Sequence, residues 1–152
     1  GTPLFPFGHG LSYTSFALAL RRPNGTDVAV EDPQSPLEVV AAVRNTGPVP
    51  GDEVVMVFWE KVWVPDGVGR GVQWPLKQLM AFHRVTVGPG EEKEVPLDLE
   101  LEELAVTDAR GTKAVLPGTY RVLVGRGSHI EAEFRLTIPG LPTVVMHNAL
   151  GP

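Results

Sequence analysis

Three acidic residues at alternate positions, Asp98, Glu100 and Glu102, are the first place to look for chemistry in this 152-residue chain. Glycoside cleavage uses two carboxyl groups about 5–9.5 Å apart, one of them with a raised pKa. The spacing suits a pair on one strand face, but the setting does not. The three acids alternate with Leu97, Leu99 and Leu101, so they point to water, where nothing desolvates a carboxyl group. They read as a solvated strand face, and no catalytic residue is assigned. His9, His83, His129 and His147 lie at no metal-ligand spacing, and there is no cysteine to complete a site. No metal or other cofactor is therefore expected. Gly67-Val68-Gly69-Arg70-Gly71 resembles a phosphate loop only superficially. It lacks the Lys-Ser/Thr pair and no helix follows to offer its N-terminus, so it reads as a flexible hairpin loop. No serine sits in a G-x-S-x-G turn. Asn24-Gly25-Thr26 is an N-glycosylation sequon, and Asn-Gly is equally an ordinary turn dipeptide. Both readings stay open, with Asn24 the candidate glycan site.

Composition narrows the classes further. A net charge of −5 without a Lys/Arg cluster argues against nucleic acid or an anionic membrane as partner. No apolar run is long enough to span a bilayer. The absence of cysteine excludes a disulfide framework and leaves the compartment open. An apolar fraction of 43% with 20% charged residues is that of a globular chain, able to bury a core at this length. The 17 Gly and 15 Pro are dispersed as punctuation, which suits short strands joined by turns.

The elements that must carry any site show a period of two. Phe16, Leu18 and Leu20 share one strand face; Leu37, Val39, Ala41 and Val43 share another. Val54 to Trp59 is nearly continuous apolar sequence, expected to be a central strand covered on both faces. Leu79–Val87 follows as a strand, then an edge-like strand with Val95, Leu97 and Leu99 inward and Pro96 unable to donate. Leu101–Ala105 admits a single helical turn. Tyr120, Val122 and Val124 form a late strand, and Ala132, Phe134, Leu136 and Ile138 form the last. Tyr120, just after Pro117-Gly118, has the placement of a tyrosine corner. The pattern predicts an all-β, immunoglobulin-like antiparallel sandwich of about seven strands. It would span residues 14–138, between an irregular N-terminal arm (1–13) and a C-terminal tail (139–152).

The arm is the most specific stretch. Pro3-Leu4-Phe5-Pro6-Phe7-Gly8-His9-Gly10-Leu11-Ser12-Tyr13-Thr14-Ser15-Phe16 closely resembles the segment that enters the C-terminal fibronectin type III-like domain of family-3 glycoside hydrolases. Val43-Arg44-Asn45-Thr46-Gly47, Gly51-Asp52-Glu53-Val54-Val55, Pro75-Leu76-Lys77-Gln78-Leu79, Phe82-His83-Arg84-Val85 and Pro117-Gly118-Thr119-Tyr120 continue the likeness over about residues 3–138. Two stretches depart from the common pattern: Phe58-Trp59-Glu60 replaces a Leu-Tyr-Val-like run, and Ala81 stands where Gly is usual.

The resemblance implies a non-catalytic accessory module of a retaining β-glycosidase whose catalytic residues lie in preceding domains. Those domains would be its partners, and oligosaccharide only an indirect one. Val106-Thr107-Asp108-Ala109-Arg110-Gly111 and Gly127-Ser128-His129-Ile130 lean toward the β-xylosidase and α-L-arabinofuranosidase branch over the β-glucosidase branch. Phe5, Phe7, His9 and Tyr13 are the expected docking residues, because rings in an arm that forms no regular structure need an apolar partner. The Val64–Pro75 stretch, flanked by Trp63 and Trp74, is a candidate loop toward outer sugar subsites; the same tryptophans would otherwise cover the end of the core. A secreted parent is expected. The rival reading is a free-standing sandwich that binds carbohydrate or protein.

Overall fold

The computed structural model describes residues 12–30, 32, 34–126 and 128–146. Two sheets face each other across one core. The first has the order β1-β3-β6, from β1 (Phe16–Arg22), β3 (Leu37–Asn45) and β6 (Glu92–Leu99). The second has the order β2-β10-β9-β4-β5. Its members are β2 (Asp27–Ala29), β4 (Gly51–Trp63), β5 (Gln78–Val87), β9 (Gly118–Arg126) and β10 (His129–Ile138). All pairings are antiparallel except β2 with β10. This is the two-sheet arrangement of immunoglobulin-like sandwiches, an A-B-E sheet against a C-F-G sheet.

The inward faces are those that the alternation predicts. Val39, Ala41 and Val43 of β3 meet Val55, Val57 and Trp59 of β4, all fully buried. Trp59 lies edge-on to Tyr120, with ring centroids 5.7 Å apart. The Trp59 indole N–H donates to the Glu103 carbonyl at 3.2 Å. The Tyr120 hydroxyl donates to the Leu116 carbonyl at 2.7 Å, four residues upstream, which is the tyrosine-corner bond. Burial pushes the Tyr120 phenol well above its usual pKa. A bulge in β10 turns Glu131 toward the other sheet, where its carboxylate accepts the Leu18 N–H at 3.0 Å and pairs with Arg126. That contact ties the two sheets together at one end.

Several expectations change. The outer cover of β4 is only partial: Phe58 is buried, while Val54 and Met56 are half-buried. The strand before the expected helical turn ends at Leu99, and Leu101–Leu104 forms a 3-10 helix burying Leu101 and Leu104. Glu102 therefore leaves the strand face it was placed on with Asp98. The segment expected as a tail from residue 139 contains β11 (Thr143–Met146), which pairs with β8 (Lys113–Val115), itself paired with β7 (Val106–Thr107). Its backbone finds a partner that four residues cannot announce by alternation. This third, small sheet caps the sandwich beside the β4–β5 connection. The seven strands read from sequence are the seven long ones; β2, β7, β8 and β11 have two to four residues each.

Candidate functional site

The two ends of the sandwich carry different features. At the end where the chain enters, Asn45 is fully buried. Its amide nitrogen donates to the carbonyls of Val49 (2.8 Å) and Val87 (2.9 Å). Its amide oxygen accepts from the Thr14 hydroxyl (2.7 Å) and the Gly47 N–H (3.0 Å). One side chain thus joins the β3–β4 turn, the end of β5 and Thr14, two residues before β1. Gly47 is required there, since a Cβ would sit 2.2 Å from the Thr14 hydroxyl oxygen. Thr14 is buried while Tyr13 beside it is fully exposed. Of the expected docking residues, Phe5, Phe7 and His9 lie outside the described residues; Tyr13 presents its ring to solvent at the point where the chain joins the sandwich.

The Val64–Pro75 loop lies at the other end, because β4 runs the length of the sandwich from Gly51 to Trp63. Thirteen residues of strand span about 40 Å. The loop is built from two successive turns, closed by Val68 N–H to Pro65 (3.1 Å) and Val72 N–H to Gly69 (3.2 Å). Gly67, Gly69 and Gly71 all have positive φ, between 66 and 84°. Gly69 also sits so close to Leu116 and Trp74 that a Cβ would be 2.8 Å from the Leu116 side chain. The segment expected as a flexible hairpin loop is a hairpin connection between β4 and β5, and it leans on the small sheet. Between them lies a cleft of about 380 Å³ with an apolar floor of Val68, Val106, Ala114 and Leu116 and with Arg70 and Arg110 at its rim.

The two tryptophans part company. Trp74 is half-buried, packed against the core, with the Lys61 ammonium 5.3 Å from its ring centroid. Trp63 ends β4 and is 57% exposed. Trp74 thus occupies the place of a core cover, and Trp63 offers an open aromatic face.

Asp98, Glu100 and Glu102 are exposed. Asp32 and Asp52 have displaced pKa values, and both move the wrong way for a general acid. Asp32 is held low by the Gln34 backbone N–H and then the Ser35 hydroxyl. Asp52 is held low by the Thr86 hydroxyl and then by Arg84. His83 and His129 are exposed, and His147 lies outside the described residues. Among the described residues no group of three or more His, Asp or Glu is placed to hold a metal ion. Asn24 is exposed in the β1–β2 turn, with Gly25 at φ 117°. Reading the sequence missed Asn45 as a hub: Asn-Thr-Gly reads as a turn, and only the fold shows what the turn amide reaches.

The sandwich order, the core tryptophan on β4 and the tyrosine corner define a fibronectin type III-like module. The sequence pattern of the fibronectin type III-like domain matches residues 53–128. A β-xylosidase of Formosa agariphila is 40% identical over 86% of this chain, and the match takes up 17% of that protein. The crystal structure of a β-glucosidase from Listeria innocua in complex with glucose superposes over 91% of this chain and 18% of its own, with a TM-score of 0.77 and 29% identity. That of a β-glucosidase from Kluyveromyces marxianus, also in complex with glucose, covers 92% of this chain and 16% of its own, with a TM-score of 0.76 and 31% identity. The chain belongs to the fibronectin type III-like domain family, in the form found within β-xylosidases and β-glucosidases. It spans less than a fifth of the length of the relatives it matches.

Proposed function

We propose that this chain is the non-catalytic accessory module of a secreted family-3 glycoside hydrolase that breaks down oligosaccharides of the xylan, arabinan or β-glucan type. The observation that carries this reading is the 40% identity over 86% of the chain to a stretch occupying 17% of a β-xylosidase. In this reading the module's contribution is to hold and shape the catalytic domains. In this role Phe5, Phe7, His9 and Tyr13 anchor the module on those domains, Trp63 offers a platform to sugars beyond the cleavage point, and Asn24 carries a glycan where the parent is made through a eukaryotic secretory route.

The test is removal of the module from the full-length polypeptide, beside the chain expressed alone. Expected outcomes are a truncated enzyme that loses thermal stability and activity, and a chain that hydrolyses no nitrophenyl xyloside, arabinofuranoside or glucoside. Tight oligosaccharide binding by the chain alone, with an unchanged truncated enzyme, would overturn the proposal in favour of a free-standing binding domain.

A further inference from the structure

The exterior of the sandwich has two broad sheet faces, and they differ in kind. The outer face of β1-β3-β6 is ionic. Arg21 pairs with Glu92 at 2.8 Å and Arg22 with Glu38 at 2.6 Å, and all four side chains are about half exposed. Arg44 and Glu94 stand on the same face. Covering it would strip water from several charges.

The outer face of the larger sheet is different. Val55, Val57 and Trp59 point inward, so Met56 points out. The register places Met56 opposite Phe82 on β5 and opposite Gly125 on β9, which in turn faces Ile130 on β10. A row of apolar side chains therefore crosses the sheet at right angles to its strands, with a dip at Gly125. Phe82 is 67% exposed and Ile130 38% exposed, while Met56 is half-buried. Charged groups lie beyond the row on both sides and are already paired. On one side Asp52 accepts from Arg84 and Thr86; on the other, past the buried Phe58 and Leu123 of the next row, Arg121 pairs with Glu60. An apolar centre inside a satisfied polar rim is the anatomy of a protein interface.

The geometry points to this face of the β10-β9-β4-β5 layer, centred on Phe82, as the surface that seats the catalytic part of the same polypeptide. The occupant is an apolar, uncharged patch of that part. This rests on the accessory-module reading above and adds the face used. Two facts select the occupant. The relatives are roughly six times as long as the stretch they share with this chain, so a large covalently linked body is at hand. Thr14, where the chain enters the sandwich, and Trp63 lie at opposite ends of it. If the arm at one end and Trp63 at the other both serve that body, as in the proposed function, it lies alongside the sandwich and against one sheet face, and the ionic face is the costly choice.

Hydroxyl-radical footprinting of the full-length polypeptide tests this, with the chain alone as reference. Phe82 oxidation is expected to slow about tenfold in the full-length protein, while the exposed ring of Tyr13 serves as a reactivity standard only in the chain alone. Phe82→Glu in the full-length protein should speed thermal inactivation roughly tenfold, and Ala19→Glu on the ionic face should leave it unchanged. Equal Phe82 oxidation in the two proteins overturns the proposal. If removing the module still destabilises the enzyme, that result rejects the face alone and leaves the accessory role standing. Protection of Phe82 that disappears on dilution also overturns it, because the occupant is then a second copy.

Discussion

The hydroxyl of Thr14 and the amide oxygen of Asn45 meet at 2.7 Å across 31 positions of sequence, and this bond fixes where the chain enters the sandwich. Asn45 uses both donor hydrogens on the Val49 and Val87 carbonyls, so its oxygen is oriented toward Thr14 and Gly47 without choice. Replacing it by alanine leaves the Val87 carbonyl and its neighbours without partners in a buried setting. Asn45→Ala should destabilise the chain by about 3 kcal/mol or more. Thr14→Val removes one bond and should cost about 1 kcal/mol. Urea unfolding of the two variants checks the ranking; equal midpoints for Asn45→Ala and the parent sequence would refute the hub.

Tyr120 sets a limit in alkali. Its hydroxyl is buried and donates to Leu116, and burial raises its pKa above the usual 10.0. The neutral phenol is therefore favoured by folding. Its contribution is full below pH 10 and is lost as pH rises toward the folded value. Thermal unfolding from pH 8 upward should show stability falling above about pH 10. In Tyr120→Phe this alkaline slope should flatten, at a cost near neutrality of about 1–3 kcal/mol for the orphaned carbonyl. An unaltered slope would assign the alkaline loss to other groups.

The long strands were legible because their faces alternate over enough residues. Val95, Leu97 and Leu99 are buried while Glu94, Pro96 and Asp98 are exposed, and seven such runs define a sandwich before any coordinate. Pro96 likewise told the position of its strand, which lies at an edge. The small cap was not legible. Val106–Thr107 and Lys113–Val115 are too short for a period, and β11 follows Pro139-Gly140 and Leu141-Pro142, which read as the end of order. The expected aromatic loop was found by its glycines, yet its packing on the small sheet was hidden, since Gly signals a permitted positive φ equally in an open loop and in a packed one. Phe82 carries part of the family likeness, but its exposure is not visible in the sequence. Alternation assigns it to a face only after a neighbouring strand has fixed which face is inside.

Asp52 should make a contribution that fails in acid. The Thr86 hydroxyl and then Arg84 hold its carboxyl below the ordinary value of 3.8. Folding therefore favours the ionised form, and the stabilisation is complete above that value and lost as pH falls below it. The difference in Tm between the parent sequence and Asp52→Asn should be constant from about pH 5 to 8 and shrink below about pH 4. It should also diminish in high salt, as expected for an exposed pair. A difference that grows in acid would reverse the assignment.

Trp63 and Trp74 should separate a sugar platform from a core cover. Trp74 is half-buried on the core beneath Lys61 and against the Gly69 turn, so Trp74→Ala opens a gap at the end of the sandwich. It should cost about 2–4 kcal/mol and reduce activity of the full-length enzyme on every substrate alike. Trp63 is 57% exposed, so Trp63→Ala should leave Tm within about 2 °C. If its ring stacks on sugars beyond the cleavage point, kcat/KM for long xylooligosaccharides should fall several-fold while that for an aryl xyloside stays the same, because only the longer substrate reaches the ring. Kinetics of both variants on a short and a long substrate, read beside their melting curves, decide the matter. An equal loss on the two substrates for Trp63→Ala, with a lowered Tm, would make Trp63 a structural residue like its neighbour and remove this loop from substrate recognition.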